Sequence, residues 1–195
     1  MNWYNKVITI KKGDEMSKQR GFELVSKYEG QGLNLPQRAS KASAGYDLEA
    51  AVDISLPSIW QVLLANGGLN QAVSLGHLPE ENEKFLASTL VPTGVKAFMP
   101  DDEYLLLANR SSNPMKRQLA LPNGIGVIDA DYYNNDNNEG EIFVQLINYG
   151  LKPYQIKKGD RIAQAIFTPY RKVDETGVDL GDRTGGFGSS GYSKN

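Results

Sequence analysis

Apolar and polar residues alternate along much of this chain with a period of two. The clearest run starts at Tyr46, where Tyr46, Leu48, Ala50, Val52 and Ile54 interleave with Asp47, Glu49, Ala51 and Asp53, the pattern of a half-buried strand. Further strands are expected at 6–10, 89–92, 95–99, 103–108, 126–130, 141–148 and 161–167. Short strands punctuated by Gly, Pro, Asn and Asp predict an all-β sandwich or barrel, and no repeat suggests a solenoid or propeller. Between about 55 and 87 the period changes. Trp60, Leu63 and Leu64 fall at helical spacing behind Pro57, with Gly67-Gly68 as a stop, and Pro79 is followed by acidic residues suited to the first turn of a second helix. This stretch reads as an insertion that packs locally, makes a subunit contact or recognises a partner.

From residue 176 onward large apolar side chains are sparse and glycines frequent. The expectation is one β-domain over 1–175 and a flexible glycine-rich arm over 176–195. Such a tail is either a frayed end or an arm that closes over a ligand, Arg183 pairing with anions and Phe187 stacking.

Composition narrows the chemistry. The 195 residues suit a single domain, and 21 basic against 23 acidic side chains leave a formal charge of −2, without the basic excess of a nonspecific nucleic-acid binder. With no cysteine and only His77, thiolate zinc sites, cysteine nucleophiles and multi-histidine metal centres are excluded. Carboxylates, hydroxyls, amides, arginines and backbone N–H groups must do the work, and a metal would be a hard ion such as magnesium. No apolar run reaches the ~18 residues of a membrane span, and residues 1–20 lack a secretory signal's apolar core, so a cytoplasmic location is expected.

Three stretches carry candidate chemistry. Arg110-Ser111-Ser112 follows an apolar strand and precedes a short helical stretch that Ser112 could cap; it reads as a phosphate cradle or an ordinary turn. Asn123-Gly124 favours a tight turn feeding a strand, the usual signal for a hairpin whose mouth could pair with a flat polar base. Beyond it, Asp129 and Asp131 share a parity and point the same way if the strand persists, as general base, magnesium ligand or solvated strand end, while Tyr132 is a core ring or a stacking platform. Gln164 shares a parity with Ile162 and Ile166 and would need a partner if buried.

The order of these stretches is more specific than any one of them. Ala44-Gly-Tyr-Asp-Leu, Arg110-Ser-Ser, Asn123-Gly-Ile-Gly-Val-Ile-Asp-Ala-Asp-Tyr, Gly159-Asp-Arg-Ile-Ala-Gln and Gly185-Gly-Phe-Gly-Ser-Ser-Gly resemble the five ordered motifs of the trimeric deoxyuridine triphosphatases (dUTPases), in wording most like those of Gram-positive bacteria and their phages. The resemblance implies a jelly-roll-like fold (a distorted β-barrel), a homotrimer with sites at subunit junctions, and magnesium-dependent hydrolysis of dUTP to dUMP and pyrophosphate. Asp129 would then activate the attacking water. Asn123 and its neighbouring backbone, with Gly124 and Val127, would read the uracil edge, and Tyr132 would pack on deoxyribose and exclude a 2′-hydroxyl. Arg110, Ser111, Ser112 and Gln164 would hold phosphates, and Asp47 would act on the water shell of magnesium. Phe187 would stack on the base, while Arg183, Gly188, Ser189 and Ser190 would bind the outer phosphates.

Three departures stand out. Asn109 replaces a usual glycine, its side chain expected to point outward; Arg183 lies one residue nearer Phe187 than is common; and residues 134–139 lengthen a hairpin, expected to leave the site groups untouched. The competing readings are a dCTP deaminase of the same fold, and a nucleotide-gated protein that binds a regulator through the 55–87 insertion.

Overall fold

The computed structural model describes residues 19–64 and 88–174. The strand expected at 6–10, His77, the second helix after Pro79 and the arm with Arg183, Phe187, Gly188, Ser189 and Ser190 lie outside the described residues. Twelve strands are described: β1 (Gly21–Leu24), β2 (Gln37–Arg38), β3 (Tyr46–Glu49), β4 (Ile54–Leu56), β5 (Thr89–Pro92), β6 (Val95–Phe98), β7 (Glu103–Ala108), β8 (Leu119–Ala120), β9 (Ile125–Asp129), β10 (Phe143–Asn148), β11 (Tyr154–Ile156) and β12 (Arg161–Pro169). They pair antiparallel into open sheets, β1-β6, β5-β10-β8, β11-β4 and the five-stranded β2-β3-β12-β7-β9. None of these closes on itself among the described residues, and the architecture is all-β as the alternation predicted, of the jelly-roll type that the resemblance implied.

All four sheets contribute to one core. Leu48, Leu56, Val91, Val95, Leu105, Leu119, Leu146, Ile156 and Ile162 are buried in it. Each is worth roughly 1.5–3 kcal/mol of transfer free energy, before the opposing chain entropy. β7 and β10 show the simplest route from sequence to core, every second residue facing inward: Leu105 and Leu107 on one, Val144 and Leu146 on the other.

Two expectations need correction. The alternating run from Tyr46 is not one strand. β3 ends at Glu49 because the next backbone groups bond elsewhere: Ala50 N–H to the Asp160 carbonyl, Ala51 N–H to the Pro92 carbonyl, and the Ala50 carbonyl to Gly159 N–H. Nor is the Asn123-Gly124 turn a hairpin. It forms, with Gly124 at φ +73° and its N–H donating to the Leu121 carbonyl, but β8 before it pairs with β10 while β9 after it pairs with β7. The turn passes the chain from one sheet to another.

The insertion opens with a short helix, α1 (Ile59–Leu64). Buried Ser58 donates to the Gly150 carbonyl, and the Trp60 indole donates to the Tyr149 carbonyl at 2.8 Å, so the helix start is tied to the loop after β10. No described helix is long and apolar enough to cross a membrane.

Candidate active site

The middle of the five-stranded sheet gathers three of the expected phosphate-side residues. Gln164 on β12 stands in register between Asp47 on β3 and Ala108 on β7. Two residues beyond Ala108, Arg110 turns back so that its Nε lies 3.0 Å from Asp47 Oδ1, and Arg161 Nη1 lies 3.3 Å from Oδ2. The carboxylate is 7% exposed, yet Oδ1 and Arg110 Nε make no aligned hydrogen bond; their attraction is one of charge. The Arg161 carbonyl accepts from Arg110 Nη1 at 3.3 Å and Arg117 Nη1 at 3.0 Å. Three guanidinium groups thus converge where one carboxylate offsets them, a field suited to phosphate oxygens. Gly45 packs closely here, since a Cβ would stand 3.2 Å from the Gln164 side chain and make it give by a few tenths of an ångström.

Gln164 is half-buried, and the shared parity with Ile162 does not carry through. A register shift between Arg161 and Ala163 inserts a bulge, so that Ile162, Ala163 and Ala165 all bury while Gln164 stays only half-buried.

The Arg110 turn is held by residues that sequence reading missed. Ser112 precedes a single π-helical turn (Asn113–Arg117) but makes no side-chain cap, and Ser111 is exposed. Fully buried Asn113 fastens the turn, donating to the Ile162 carbonyl at 2.8 Å and to Asn109 Oδ1 at 2.7 Å. Asn109 does not point outward as expected: its amide also donates to the Leu119 carbonyl at 3.3 Å, closing the turn from inside.

A second cluster lies on the other side of β7, along edge strand β9. Asn123, Val127, Asp129 and Tyr132, with Leu107 and Phe143, line a pocket of about 230 Å³. On edge strand β9, Ile125, Val127 and Asp129 share the exposed face while Gly126 faces Leu107, whose side chain would stand 3.1 Å from any added Cβ. The strand stops at Asp129 and Ala130–Tyr132 form a 3-10 turn, so the parity argument joining Asp129 to Asp131 fails.

Of the two readings of Tyr132, the structure shows the core ring. The ring is 5% exposed yet borders the pocket, its hydroxyl donating to the Glu141 carbonyl at 3.1 Å. The loop after it does touch the site, against expectation. Asn138 donates to the Tyr132 hydroxyl at 2.7 Å, and Asn135 to the Tyr132 carbonyl at 2.8 Å. This loop is anchored on the β1–β6 side, where Glu139 accepts from the Ser26 hydroxyl and, at 3.1 Å, its N–H. These bonds, then the nearby Lys96, hold the Glu139 carboxyl below its ordinary range. A hydrogen bond to Glu23 at 2.6 Å, reinforced by burial, raises the Tyr133 hydroxyl.

Within one chain Asp129 and Gln164 stand apart. Asp129 pairs with Tyr104 and Gln164 with Ala108, four residues along β7, or roughly 13 Å at strand rise. As for magnesium, no group of three or more His, Asp or Glu side chains forms a cage among the described residues. The donor set fits a lesser role: Asp47 Oδ1 is a buried acceptor without an aligned donor, suited to one contact with the water shell of an ion brought in on phosphates.

The dUTPase family model matches residues 83–191. A deoxyuridine 5′-triphosphate nucleotidohydrolase of Lactococcus lactis is 41% identical over 175 residues, covering 89% of this chain and 99% of the relative. The enzyme of that name from Desulfitobacterium hafniense is 38% identical over 167 residues, 82% and 88% of the two chains. The crystal structure of dUTPase from Streptococcus mutans superposes with a TM-score of 0.63 at 39% identity, covering 80% of this chain and 99% of the other. The dUTPase from phage phi11 of S. aureus, at 19% identity, covers 83% and 96% with a TM-score of 0.57 and agrees in fold. A mutant of that phage enzyme, similar at a TM-score of 0.56, coordinates a structural Mg(II) ion.

Proposed function

Since the chain belongs to the dUTPase family and is a dUTP-hydrolysing enzyme, we propose that Asp129 activates the water that attacks the α-phosphorus, releasing dUMP and pyrophosphate. The observation that carries this reading is the pocket at the end of β9, where a carboxylate, the Asn123 turn and the Tyr132 ring line one space of nucleoside size. The water gives its proton to the Asp129 carboxylate as its oxygen bonds to phosphorus, and the bond from the α-phosphorus to the bridging oxygen breaks in line. General-base catalysis of this kind contributes typically ~10²–10⁴-fold. Asn123, Gly124 and Val127 read the uracil edge, and Tyr132 packs on the deoxyribose.

Arg110, Ser111, Ser112 and Gln164 hold the phosphates, and Asp47 keeps the Arg110 and Arg161 guanidinium groups aimed. Magnesium, when bound with the triphosphate, neutralises charge and makes the α-phosphorus a better electrophile. The chain's own part is to place arginines and one buried carboxylate beside it. The ~13 Å along β7 between Asp129 and Gln164 supports a homotrimer in which Asp129 of one subunit faces the arginine cluster of the next. The 176–195 arm, through Arg183, Phe187, Gly188, Ser189 and Ser190, closes the site and excludes water.

The test is turnover of dUTP, UTP, dTTP and dCTP with and without magnesium, with products identified. Selective release of dUMP and pyrophosphate is expected. Equal use of UTP, cleavage to phosphate, or ammonia from dCTP as in a deaminase would overturn the reading. A second role, binding a protein regulator through the 55–87 insertion, is favoured by Trp60 and Leu64, 45% and 64% exposed where the insertion begins. Deleting the insertion should then abolish capture of the partner and leave dUTP turnover intact.

A further inference from the structure

The loop that lengthens the chain after the 3-10 turn is built around one side chain. Asn138 Nδ2 lies 2.7 Å from the Tyr132 hydroxyl, which in turn donates to the Glu141 carbonyl at 3.1 Å. Asn138 is itself held: its Oδ1 accepts from Asn135 Nδ2 at 2.9 Å and from Gly140 N–H at 3.1 Å. Gly140, at φ +80°, lets this turn lie directly on Tyr132, since a Cβ there would stand 2.5 Å from the Tyr132 carbonyl oxygen. The tyrosine oxygen is thus tied on two sides, and its ring forms a wall of the pocket that holds Asp129.

We propose that Asn138 is a positioning residue that sets the enzyme's preference for deoxyribose over ribose, acting through the Tyr132 hydroxyl. The inference rests on the reading that Tyr132 packs on the sugar. A ribonucleotide differs only by one hydroxyl, which a pocket wall rejects only as far as it refuses to move. Phe in place of Tyr132 would keep the ring and lose the tether. Without Asn138 the ring keeps one hydroxyl bond and can tilt by the few tenths of an ångström that admit an extra oxygen.

The test compares kcat/KM for dUTP and UTP in the parent, Asn138→Ala, Tyr132→Phe and the double variant. The dUTP-to-UTP ratio should fall by about 10-fold or more in Asn138→Ala, mainly through a lower KM for UTP, a range ordinary for one small group in a pocket. In the Tyr132→Phe background, removing Asn138 should change the ratio no further, because the oxygen it acts on is gone. An unchanged ratio in Asn138→Ala, or losses that multiply in the double variant, overturns the proposal. If Asn138→Ala does not fold, Tyr132→Phe alone must lose the ratio or the proposal fails. A parent enzyme that does not turn over dUTP would refute the sugar-packing reading beneath it, whereas an active parent with an intact ratio in the variants refutes only the role of Asn138.

Discussion

Asp129 and Asn113 show how differently single residues bear on activity. Asp129 ends an edge strand, lines the pocket and is exposed. Asp129→Asn keeps its volume and removes the base, so kcat should fall at least ~10²-fold with little change in KM. Steady-state kinetics with dUTP will decide it; a variant nearly as fast as the parent moves the role to another carboxylate. Asn113 is fully buried and touches no candidate substrate position, yet two donors leave its amide, for the Ile162 carbonyl and for Asn109. Asn113→Ala leaves those acceptors without them, which costs about 1–3 kcal/mol. Calorimetry should show the melting temperature lowered by roughly 3–10 °C. KM for dUTP should rise as well, because the turn that aims Arg110 loses its fastening.

At the scale of elements, the 133–141 loop couples two sheets by charge. Glu139, held below its ordinary value by the Ser26 hydroxyl first and then the Ser26 N–H, adds stability while it is ionised. A depressed carboxyl of this kind contributes fully above its unfolded value, near 4.5, and the contribution is lost as pH falls through the lower folded value. Urea unfolding should find the parent more stable than Glu139→Gln at pH 7, with the gap closing well below 4.5. A gap that persists in acid would show that the contact does not act through charge. The bulge in β12 belongs to this scale too: by shifting register after Arg161 it leaves Gln164 only half-buried between Asp47 and Ala108.

For the whole molecule, the separation of Asp129 and Gln164 along β7 makes a testable demand on assembly. If one subunit supplies the Asp129 pocket and the next supplies Arg110, Asp129→Asn and Arg110→Ala subunits are each inactive alone but complement each other. Co-expressed and purified as mixed trimers, they should recover up to about a third of parental activity, since one of the three junctions in such a ring pairs two intact halves. Mixed trimers without activity would place both halves of the site in one subunit.

Period-two patterning and the order of the motifs determined, from the sequence alone, an all-β fold, its long strands and the family, because alternation over five or more residues and turn-forming pairs such as Asn123-Gly124 are local properties. Strands β1, β2, β4, β8 and β11 escaped, the last four because two or three residues show no period. The end of β3, the sheet switch at Gly124, the inward turn of Asn109 and the bond from Asn138 to Tyr132 were decided only by the tertiary structure. In each case the deciding partner is a backbone group or side chain that the local periodicity does not encode. Asp160 is 110 residues from Ala50, and Leu119 on β8 lies beyond the turn that Asn109 opens, so only the packed sheets bring them within hydrogen-bond reach.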